Sequence, residues 1–301
     1  MSVPVEAAVQ DGVSPTKVYM KLMQSMAPLR WAAGLKIIAR RCGTCHRSLV
    51  VRQLSAQKAG IKMHDKWYCS SACFAVAAEA KLSSLMTAAL VKGSHASRMP
   101  LGLILISRGL LTRTQLREAI NEQKEGGGEI GELLVRNGSV SEKHVTSGRA
   151  MQWACPVFAV QKQVILPQIQ IPSTLMQLCS AIQLHYVAAK KLLMVGFVHG
   201  IEYQLLYAIE QMTGCKTQPC FVTPSDFQTQ LQRRAQDPCG DAAPKEVMFD
   251  GIQTAAESAR ILCSYGVNLE ADEAIIGRCK EYIWTRLNYG SQKVDLLFKA
   301  A

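Results

Sequence analysis

Residues 101–123 read LGLILISRGLLTRTQLREAINEQ, and residues 130–152 repeat the pattern as IGELLVRNGSVSEKHVTSGRAMQ at a constant offset of 29. Each copy has a short apolar run, a glycine, and a second run that opens with Thr or Ser. Threonine and serine cap helix N-termini through their side-chain oxygens, and glycine ends helices because it adopts positive φ at little cost. The stretch therefore predicts two helix–turn–helix units in tandem.

The helix boundaries within each copy are predicted from single residues. Thr112 and Ser141 stand at the start of the second helix, and Gln115 completes a capping box with Thr112. Gly109 and Gly138 stand where the first helix ends, in a position that favours a left-handed cap.

The doubled pattern resembles the MshEN-type N-terminal domain of type II secretion and type IV pilus assembly ATPases. The resemblance covers residues 98–235, because residues 157–235 continue in the order helix, two strands, helix, strand, helix, as the second half of that domain does. The first of these helices is predicted from Pro172 to about Tyr186. It implies a docking domain that links a motor to other components of the machine. In some members the two copies bind cyclic di-GMP.

The resemblance also implies a set of nucleotide-binding positions. They are Leu101, Gly102, Leu105, Gly109 and Gln123 in the first copy, and Ile130, Gly131, Leu134, Gly138 and Gln152 in the second. Members that bind the dinucleotide have an Arg directly before each copy, where this chain has Pro100 and Glu129, and a carboxylate repels phosphate. Arg98, Arg108 and Arg136 are candidate substitutes. In the other interpretation the glycines are caps and the leucines are core, which leaves a partner-docking fold.

A four-cysteine pattern precedes the repeat. The segment CGTC starts at residue 42 and CSSAC starts at residue 69, so the candidate ligands are Cys42, Cys45, Cys69 and Cys73. Two such pairs hold a tetrahedral Zn²⁺, and four thiolates leave no open position for water, so the predicted zinc is structural. The alternatives are unbound structural cysteines or a redox pair, and His46 or His64 as a substitute ligand.

Residues 40–91 resemble a treble-clef zinc finger, with a knuckle, a hairpin between the two pairs and a helix that opens with the second pair. Four thiolates on Zn²⁺ carry net negative charge, which nearby cations offset. The cations close in sequence are Arg40, Arg41, Arg47 and Lys66.

The positive charge of the chain is concentrated at its N-terminal end. Of the formal net charge of +11, residues 1–98 contribute 14 Lys and Arg against 4 Asp and Glu, whereas residues 99–301 have 20 against 19. Such a block indicates nucleic acid or a lipid surface as a partner, or a solvated face without one. Residues 29–41 combine apolar and basic side chains and fit either a membrane surface or an ordinary helix or strand packed on the cysteine module.

Several function classes are disfavoured by what the sequence lacks. The 301 residues contain no Gly-Lys dipeptide, which a phosphate loop needs, and no recognisable catalytic motif, so we predict that the chain is not an enzyme. The longest apolar runs are too short to span a bilayer, and no secretory signal opens the chain, so we expect a cytoplasmic protein. The remaining cysteines stand among apolar or small neighbours, as core cysteines do; they include Cys155, Cys179, Cys215, Cys220 and Cys263.

The predicted fold class is α+β with several domains. They are a basic N-terminal helical segment (1–40), a four-cysteine zinc module (41–97), the secretion-ATPase-like domain (98–235, with repeats at 100–123 and 129–152), a linker (236–246) and a C-terminal helical segment (247–301). In the last segment we predict helices over Phe249–Tyr265 and Asp272–Leu287. The predicted function is a non-enzymatic adaptor or regulator. The alternatives are a cyclic di-GMP sensor and a zinc-dependent regulator that binds nucleic acid.

Overall fold

The computed structural model describes residues 38–51, 60–88, 98–159, 169–236, 245–251 and 254–300. These residues form an α+β fold, as predicted from the sequence. They belong to two units, and the smaller one contributes only residues 38–40 and 48–51. Residues 1–37, which are most of the predicted basic N-terminal helical segment, lie outside the described residues. No helix within the described ranges is long and apolar enough to cross a bilayer.

The segments on either side of the first cysteine pair are extended. Strands β1 (Ile38–Arg41) and β2 (Ser48–Val51) form a two-stranded sheet. The predicted helical segment over 1–40 is therefore wrong for its last three residues, where β-branched Ile38 starts a strand.

The larger unit contains the remaining elements. In chain order they are β3 (Ile61–Met63), β4 (Lys66–Tyr68), α1 (Ser71–Thr87), α2 (Leu101–Ser107), α3 (Arg113–Gly126), α4 (Ile130–Arg136), α5 (Glu142–Trp153), α6 (Ser173–Leu178), β5 (Ala181–Val187), β6 (Leu192–Phe197), α7 (Tyr203–Thr213), β7 (Lys216–Phe221), α8 (Pro224–Gln236), β8 (Lys245–Phe249), α9 (Ala255–Asn268), β9 (Glu273–Cys279), β10 (Tyr282–Tyr289) and β11 (Gln292–Lys299).

One six-stranded sheet combines a hairpin from residues 61–68 with strands from residues 245–299. Its strand order is β4-β3-β9-β10-β11-β8, in which β3 runs parallel to β9 and β8 parallel to β11, while the other pairs are antiparallel. The hairpin between the cysteine pairs is therefore one edge of a sheet whose remaining strands come from the C-terminal region. The repeat and the subdomain after it lie between these parts in sequence.

The predicted C-terminal helical segment is wrong in its second half. Residues 273–289 form strands β9 and β10. Helix α9 (Ala255–Asn268) overlaps the first predicted helix, but the predicted start at Phe249 is wrong because Phe249 ends β8. Strand β10 is buried on both faces over residues 282–287. A strand covered on both faces lacks the alternation of apolar and polar residues that reveals most strands, so its apolar run also fits helical spacing. The predicted linker is too long, because Gln236 ends α8 and β8 starts at Lys245.

Helices cover the six-stranded sheet on both faces. Gly277, Trp284 and Leu297 are aligned across β9, β10 and β11, so their positions share one face. Helix α7 packs on that face, where Met212 Cε would lie 3.1 Å from a Cβ added to Gly277. Phe298 points to the other face, where its ring stacks 5.2 Å from that of Phe249.

Helix α9 covers that second face together with α1. The Tyr265 ring of α9 contacts Phe249 edge-on at 6.1 Å. Helix α1 packs along α9, and its Phe74 is fully buried. The sheet is therefore a central layer between α1 and α9 on one side and α7 on the other.

The two repeat copies interlock. Helix α2 of the first copy packs on α5 of the second, and α3 of the first copy packs on α4 of the second. Leucines of α2 lie against the bare backbone of Gly148 in α5, where an added Cβ would lie 2.8 Å from Leu101 Cδ1. Each copy thus completes the core of the other.

Residues 173–236 have the predicted order of helix, two strands, helix, strand and helix. The three-stranded sheet has the order β5-β6-β7, with β5 antiparallel and β7 parallel to β6. The predicted helix from Pro172 to about Tyr186 is too long, because α6 ends at Leu178 and residues 181–187 form β5. Ser180 has a φ of 44° and turns the chain between the two elements.

Candidate metal centre and repeat site

The four predicted cysteine ligands converge. The Sγ atoms of Cys42, Cys45, Cys69 and Cys73 all lie within 4.8 Å of one another. The Sγ–Sγ distance is 3.5 Å between Cys45 and Cys69 and 3.8 Å between Cys69 and Cys73. Four sulfurs at about 2.3 Å from a tetrahedral Zn²⁺ are about 3.8 Å apart, so the donor set has the size and chemistry for this ion.

Backbone hydrogen bonds hold the first pair in place. The Cys42 amide donates to the Arg47 carbonyl at 3.0 Å, and the Gly43 amide donates to the Trp67 carbonyl of β4 at 2.8 Å. The turn is closed by His46, which has a φ of 58°. This knuckle is thereby fixed to the hairpin that follows it in sequence.

The second pair is positioned by the start of α1. Ser70 is the N-cap and accepts a hydrogen bond from the Cys73 amide at 3.3 Å, which places Cys73 in the first turn and Cys69 just before it. The Thr44 hydroxyl donates to the Cys73 carbonyl at 2.9 Å and joins the two pairs. The knuckle, hairpin and helix thus have the predicted order.

The protonation of the cluster also fits a cation. Burial disfavours the Cys42 thiolate, but amide donors from Cys45, Cys69 and Thr44 outweigh it and lower the pKa of Cys42 to about 6. The pKa of Cys69 is raised to about 12 by its hydrogen bond with Cys45, by burial and by its bonds to the other thiols. The four thiolates form together only when a cation offsets their charge.

Neither histidine proposed as a substitute ligand joins this group in the described residues. The ring of His64 lies in the turn between β3 and β4, where burial and the charge of Lys81 lower its pKa and Nε2 is buried without a hydrogen-bond partner. The four basic residues close in sequence are exposed; they are Arg40, Arg41, Arg47 and Lys66.

The residues matched to the repeat pattern are engaged inside the fold. Leu105 and Leu134 are fully buried. Gly109 and Gly138 have φ values of 68° and 67°, and Ser141 accepts a hydrogen bond from the His144 amide, as predicted. The Thr112–Gln115 capping box is present as well.

Gly102 in α2 and Gly131 in α4 allow the helices to pack closely. A Cβ on Gly102 would meet Leu116, and a Cβ on Gly131 would meet Val145. Leu101 is buried and Ile130 is half-buried against the same core.

The two matched glutamines link the copies in a reciprocal way. Gln123 Nε2 donates to the Gly128 carbonyl at 2.7 Å, two residues before the second copy. Gln152 Nε2 donates to the Met99 carbonyl at 2.8 Å, two residues before the first copy. Each glutamine side chain therefore fixes the backbone just before the other copy, and this hydrogen bond occupies its amide donor.

The position that departs most from the expected pattern, Glu129, is an exposed carboxylate that pairs with the buried Arg149. Glu129 Oε2 lies 3.3 Å from Nη2 of Arg149, whose side chain is 5% exposed. Arg149 Nη1 donates to the Val198 carbonyl at 2.6 Å and to His199 Nδ1 at 3.0 Å. An arginine has no acceptor, so His199 Nδ1 accepts and the proton is on Nε2, which faces Glu132 at 3.5 Å. The network borders a cavity of about 320 Å³.

The three arginines considered as substitute nucleotide ligands all have intramolecular contacts. The Arg98 guanidinium lies 3.6 Å above the Trp153 ring. Arg108 Nη1 donates to Ser147 Oγ at 2.9 Å and to Met151 Sδ at 3.4 Å. Arg136 forms an ion pair with Glu122.

No family model matches the chain. A stretch of 129 residues is 26% identical to the type IV pilus assembly ATPase PilB of Thermus thermophilus. This stretch is 42% of the chain and 14% of PilB, so the chain spans about one seventh of this relative. Among solved structures, MshE with cdg is 20% identical with a TM-score of 0.38, over 45% of this chain and 99% of the other. The N-terminal domain of XpsE is 19% identical with a TM-score of 0.36, and the match covers 44% of this chain and 92% of the XpsE chain.

Sequence reasoning did not predict the roles of Arg149 and His199. A signal was available for Arg149, since the equivalent position in the first copy is apolar Ile120. No local signal marked His199, because its partners come from another part of the chain.

Of the predicted core cysteines, Cys179, Cys215 and Cys220 are buried, whereas Cys155 and Cys263 are half-buried.

Proposed function

We propose that this chain is a non-enzymatic cytoplasmic adaptor that docks a protein component of a type IV pilus or type II secretion machine. The observation that carries the proposal is the use of the repeat residues. Glycines that cap or allow close packing, buried leucines and glutamines bonded across the copies all serve folding. The repeat therefore offers a rigid surface. Its likeness to PilB over 129 residues supports a role beside this class of machine.

A structural Zn²⁺ would brace this scaffold. The ligands would be Cys42, Cys45, Cys69 and Cys73, whose sulfur separations suit the ion. Four thiolates complete the coordination, so the metal would supply folding energy and no catalysis. The absence of a Gly-Lys dipeptide in the 301 residues supports the non-enzymatic part of the proposal.

Cyclic di-GMP is the alternative ligand. In this chain the residue before the first copy is Pro100, and Glu129 before the second is bound to Arg149. The three candidate arginines are engaged with Trp153, Met151 and Glu122. These contacts favour docking over nucleotide sensing.

The docking role is tested by pairwise binding. The full chain, loaded with zinc, is immobilised and titrated with purified cytoplasmic parts of the pilus and secretion components of the same organism. We expect saturable binding of one component and no hydrolysis of ATP or GTP by the chain. Failure of every component to bind refutes the docking role, and nucleotide hydrolysis refutes the non-enzymatic part.

A further inference from the structure

A cavity of about 560 Å³ lies between the C-terminal end of α7 and strands β9, β10 and β11. Met212 and Thr213 line it from the helix. Exposed Ser291 and Gln292 line it at the turn between β10 and β11, so it opens to solvent there. We call it the sheet cavity. Neither the docking role nor the zinc site uses it.

The register of the strands explains why the sheet cavity lies beyond the end of α7. Two neighbouring cross-strand rows contribute to its lining: Ile275, Arg286 and Asp295 in one, and Glu273, Asn288 and Lys293 in the other. Alternate residues of a strand share a face, so both rows lie on the same face as Trp284. Met212 covers the Trp284 row at Gly277, and α7 ends one residue later. The helix therefore leaves space over the two rows that follow.

Arg286 brings a nearly buried cation with unused donors to the sheet cavity. Its side chain is 3% exposed. Nε and Nη2 donate to the Asp295 carboxylate at 2.7 Å each, and Nη2 also donates to the Gln170 carbonyl at 2.7 Å. A guanidinium has five N–H donors, and the two on Nη1 have no acceptor in the part of the chain that the structure describes. Nη1 is not among the fully enclosed polar atoms there that lack a partner, so it borders the cavity.

Lys293 adds a second cation to the lining of the sheet cavity. Partial burial and the charge of Arg286 lower the pKa of Lys293, so the two cations are close enough to repel each other. Asp295 raises this pKa, but its carboxylate is already bound to Arg286. Among the described residues the Lys293 ammonium has no ion pair and no hydrogen bond.

The carboxylates beside the sheet cavity are already paired. Glu273 is the one acidic residue among the described lining residues. Its Oε1 pairs with Lys62 at 2.9 Å, and its Oε2 accepts from Asn288 Nδ2 at 3.1 Å. Arg286 and Asp295 neutralise each other. The charge of Lys293 is therefore left without a counterion beside the two unused donors of Arg286, an arrangement that attracts an anion.

We propose that the sheet cavity binds a small organic acid, whose carboxylate or phosphate group is held between Nη1 of Arg286 and Nζ of Lys293. The volume of the cavity falls within the range of about 300–1,000 Å³ for small-molecule sites. Water takes up about 30 Å³ per molecule, so a bare inorganic ion would leave most of the space unfilled. Ile275 and Met212 also line the cavity and would contact the apolar part of the acid.

The test is fluorine NMR of the full chain with two anionic probes, para-fluorobenzoate and para-fluorophenyl phosphate, and with two uncharged ones, para-fluorobenzamide and para-fluorobenzyl alcohol. We expect at least one anion to bind at concentrations up to about 10 mM and neither uncharged probe to do so. Binding of one anion alone identifies its class, carboxylate or phosphate ester. Binding of neither anion, or equal binding of the uncharged probes, overturns the proposal.

Charge reversal then identifies the residue responsible. Lys293→Glu should weaken binding of the anion by about tenfold or more, whereas Lys293→Arg should retain it. The matched control is Lys299→Glu, which makes the same change of charge at an exposed position of β11 outside the cavity lining. It should bind the anion as the wild type does. An equal loss in Lys293→Glu and Lys299→Glu, or no loss in either, overturns the proposal.

The position of the bound anion is read by NMR of methyl-labelled methionine. We expect the Met212 signal to shift and that of exposed Met151 on α5 to stay unchanged. A constant Met212 signal overturns the proposal. So does binding of inorganic phosphate as tight as that of para-fluorophenyl phosphate, because the cavity then holds an adventitious ion only. The inference is independent of the docking function, since a chain that binds a machine component but no organic acid refutes this inference alone.

Discussion

Arg149 shows at the scale of one residue how the two repeat copies have diverged. Its equivalent in the first copy is Ile120, which is partly exposed, whereas the Arg149 side chain is buried and linked to Glu129, Val198 and His199. Arg149 makes three polar contacts, one of them to a backbone carbonyl. These contacts fix the second copy to residues that follow β6.

We predict that Arg149→Met lowers the free energy of unfolding by about 1–3 kcal/mol, because it leaves the buried Val198 carbonyl without its donor. The matched control is Ile120→Met at the equivalent position of the first copy, which is expected to stay within about 0.5 kcal/mol of the wild type. Chemical denaturation followed by circular dichroism measures both. Equal effects of the two substitutions would show that the Arg149 network adds nothing to stability.

His199 makes stability depend on pH. Burial and the charge of Arg149 lower the pKa of His199 below its usual value of 6.5. The unfolded chain therefore binds a proton in a pH range where the folded chain does not, so stability falls as the pH drops below about 6.5 and levels off below the folded pKa.

We predict that His199→Gln reduces the loss of stability between neutral pH and about pH 5.5, because glutamine accepts from Arg149 without titrating. His144→Gln, at an exposed position in α5, is the control and should behave as the wild type. Denaturation midpoints across this pH range measure the effect. An unchanged acid dependence in His199→Gln would assign it to other groups, such as His64.

At the scale of elements, the repeat helices could be predicted because their ends are chemically marked. The capping box at Thr112 and the cap glycines Gly109 and Gly138 each fix a boundary through local chemistry, and the structure has all three. Strands β9 and β10 lack such marks. Strand β9 packs against α7 and both strands pack against α1, and these two helices are distant from the strands in sequence. The strand assignment therefore depended on contacts that the local sequence does not reveal.

The cap glycines give a prediction at this scale. Gly109→Ala and Gly138→Ala should each lower the free energy of unfolding by about 1–2 kcal/mol, because a Cβ strains a positive φ even where space is open. Gly126→Ala is the matched control, since Gly126 ends α3 without a positive φ and an added Cβ meets nothing. It should be neutral or stabilise by up to about 1 kcal/mol. Thermal denaturation of the three variants checks the difference, and a loss as large in Gly126→Ala would contradict it.

At the scale of the whole molecule, the cysteine module could be predicted as far as the four cysteines that converge and its order of knuckle, hairpin and helix. Its place in the sheet could not, because the parallel pairing of β3 with β9 joins residues about 210 positions apart. Side-chain contacts between distant residues were also unmarked in the sequence. Trp153 and Tyr203 lie 50 positions apart, and only the packing of α5 near α7 brings their rings together.

The proposed role predicts how the whole chain responds to a nucleotide. Glu129 is paired with Arg149, and no arginine stands directly before either copy. Calorimetric titration of the zinc-loaded chain with cyclic di-GMP should therefore give no binding heat, as with GTP in the control. Selective binding at micromolar concentration would instead identify a sensor. Arg98, Arg108 and Arg136 would then be the candidates that bind the phosphates of the nucleotide.

The central claim is that the hairpin of β3 and β4 pairs with β9 in the six-stranded sheet and that the proposed Zn²⁺ at the four cysteines braces this hairpin. Native-state hydrogen exchange, measured with and without bound zinc, tests it most directly. On removal of the metal we predict that β3, β4 and β9 lose protection together while α2–α5 keep theirs, because the cysteines hold the hairpin that pairs with β9. Cys42→Ser should reproduce this loss, and Cys263→Ser, outside the cluster, should not. Unchanged protection of β9 without zinc, or a chain that never binds zinc, would contradict the claim.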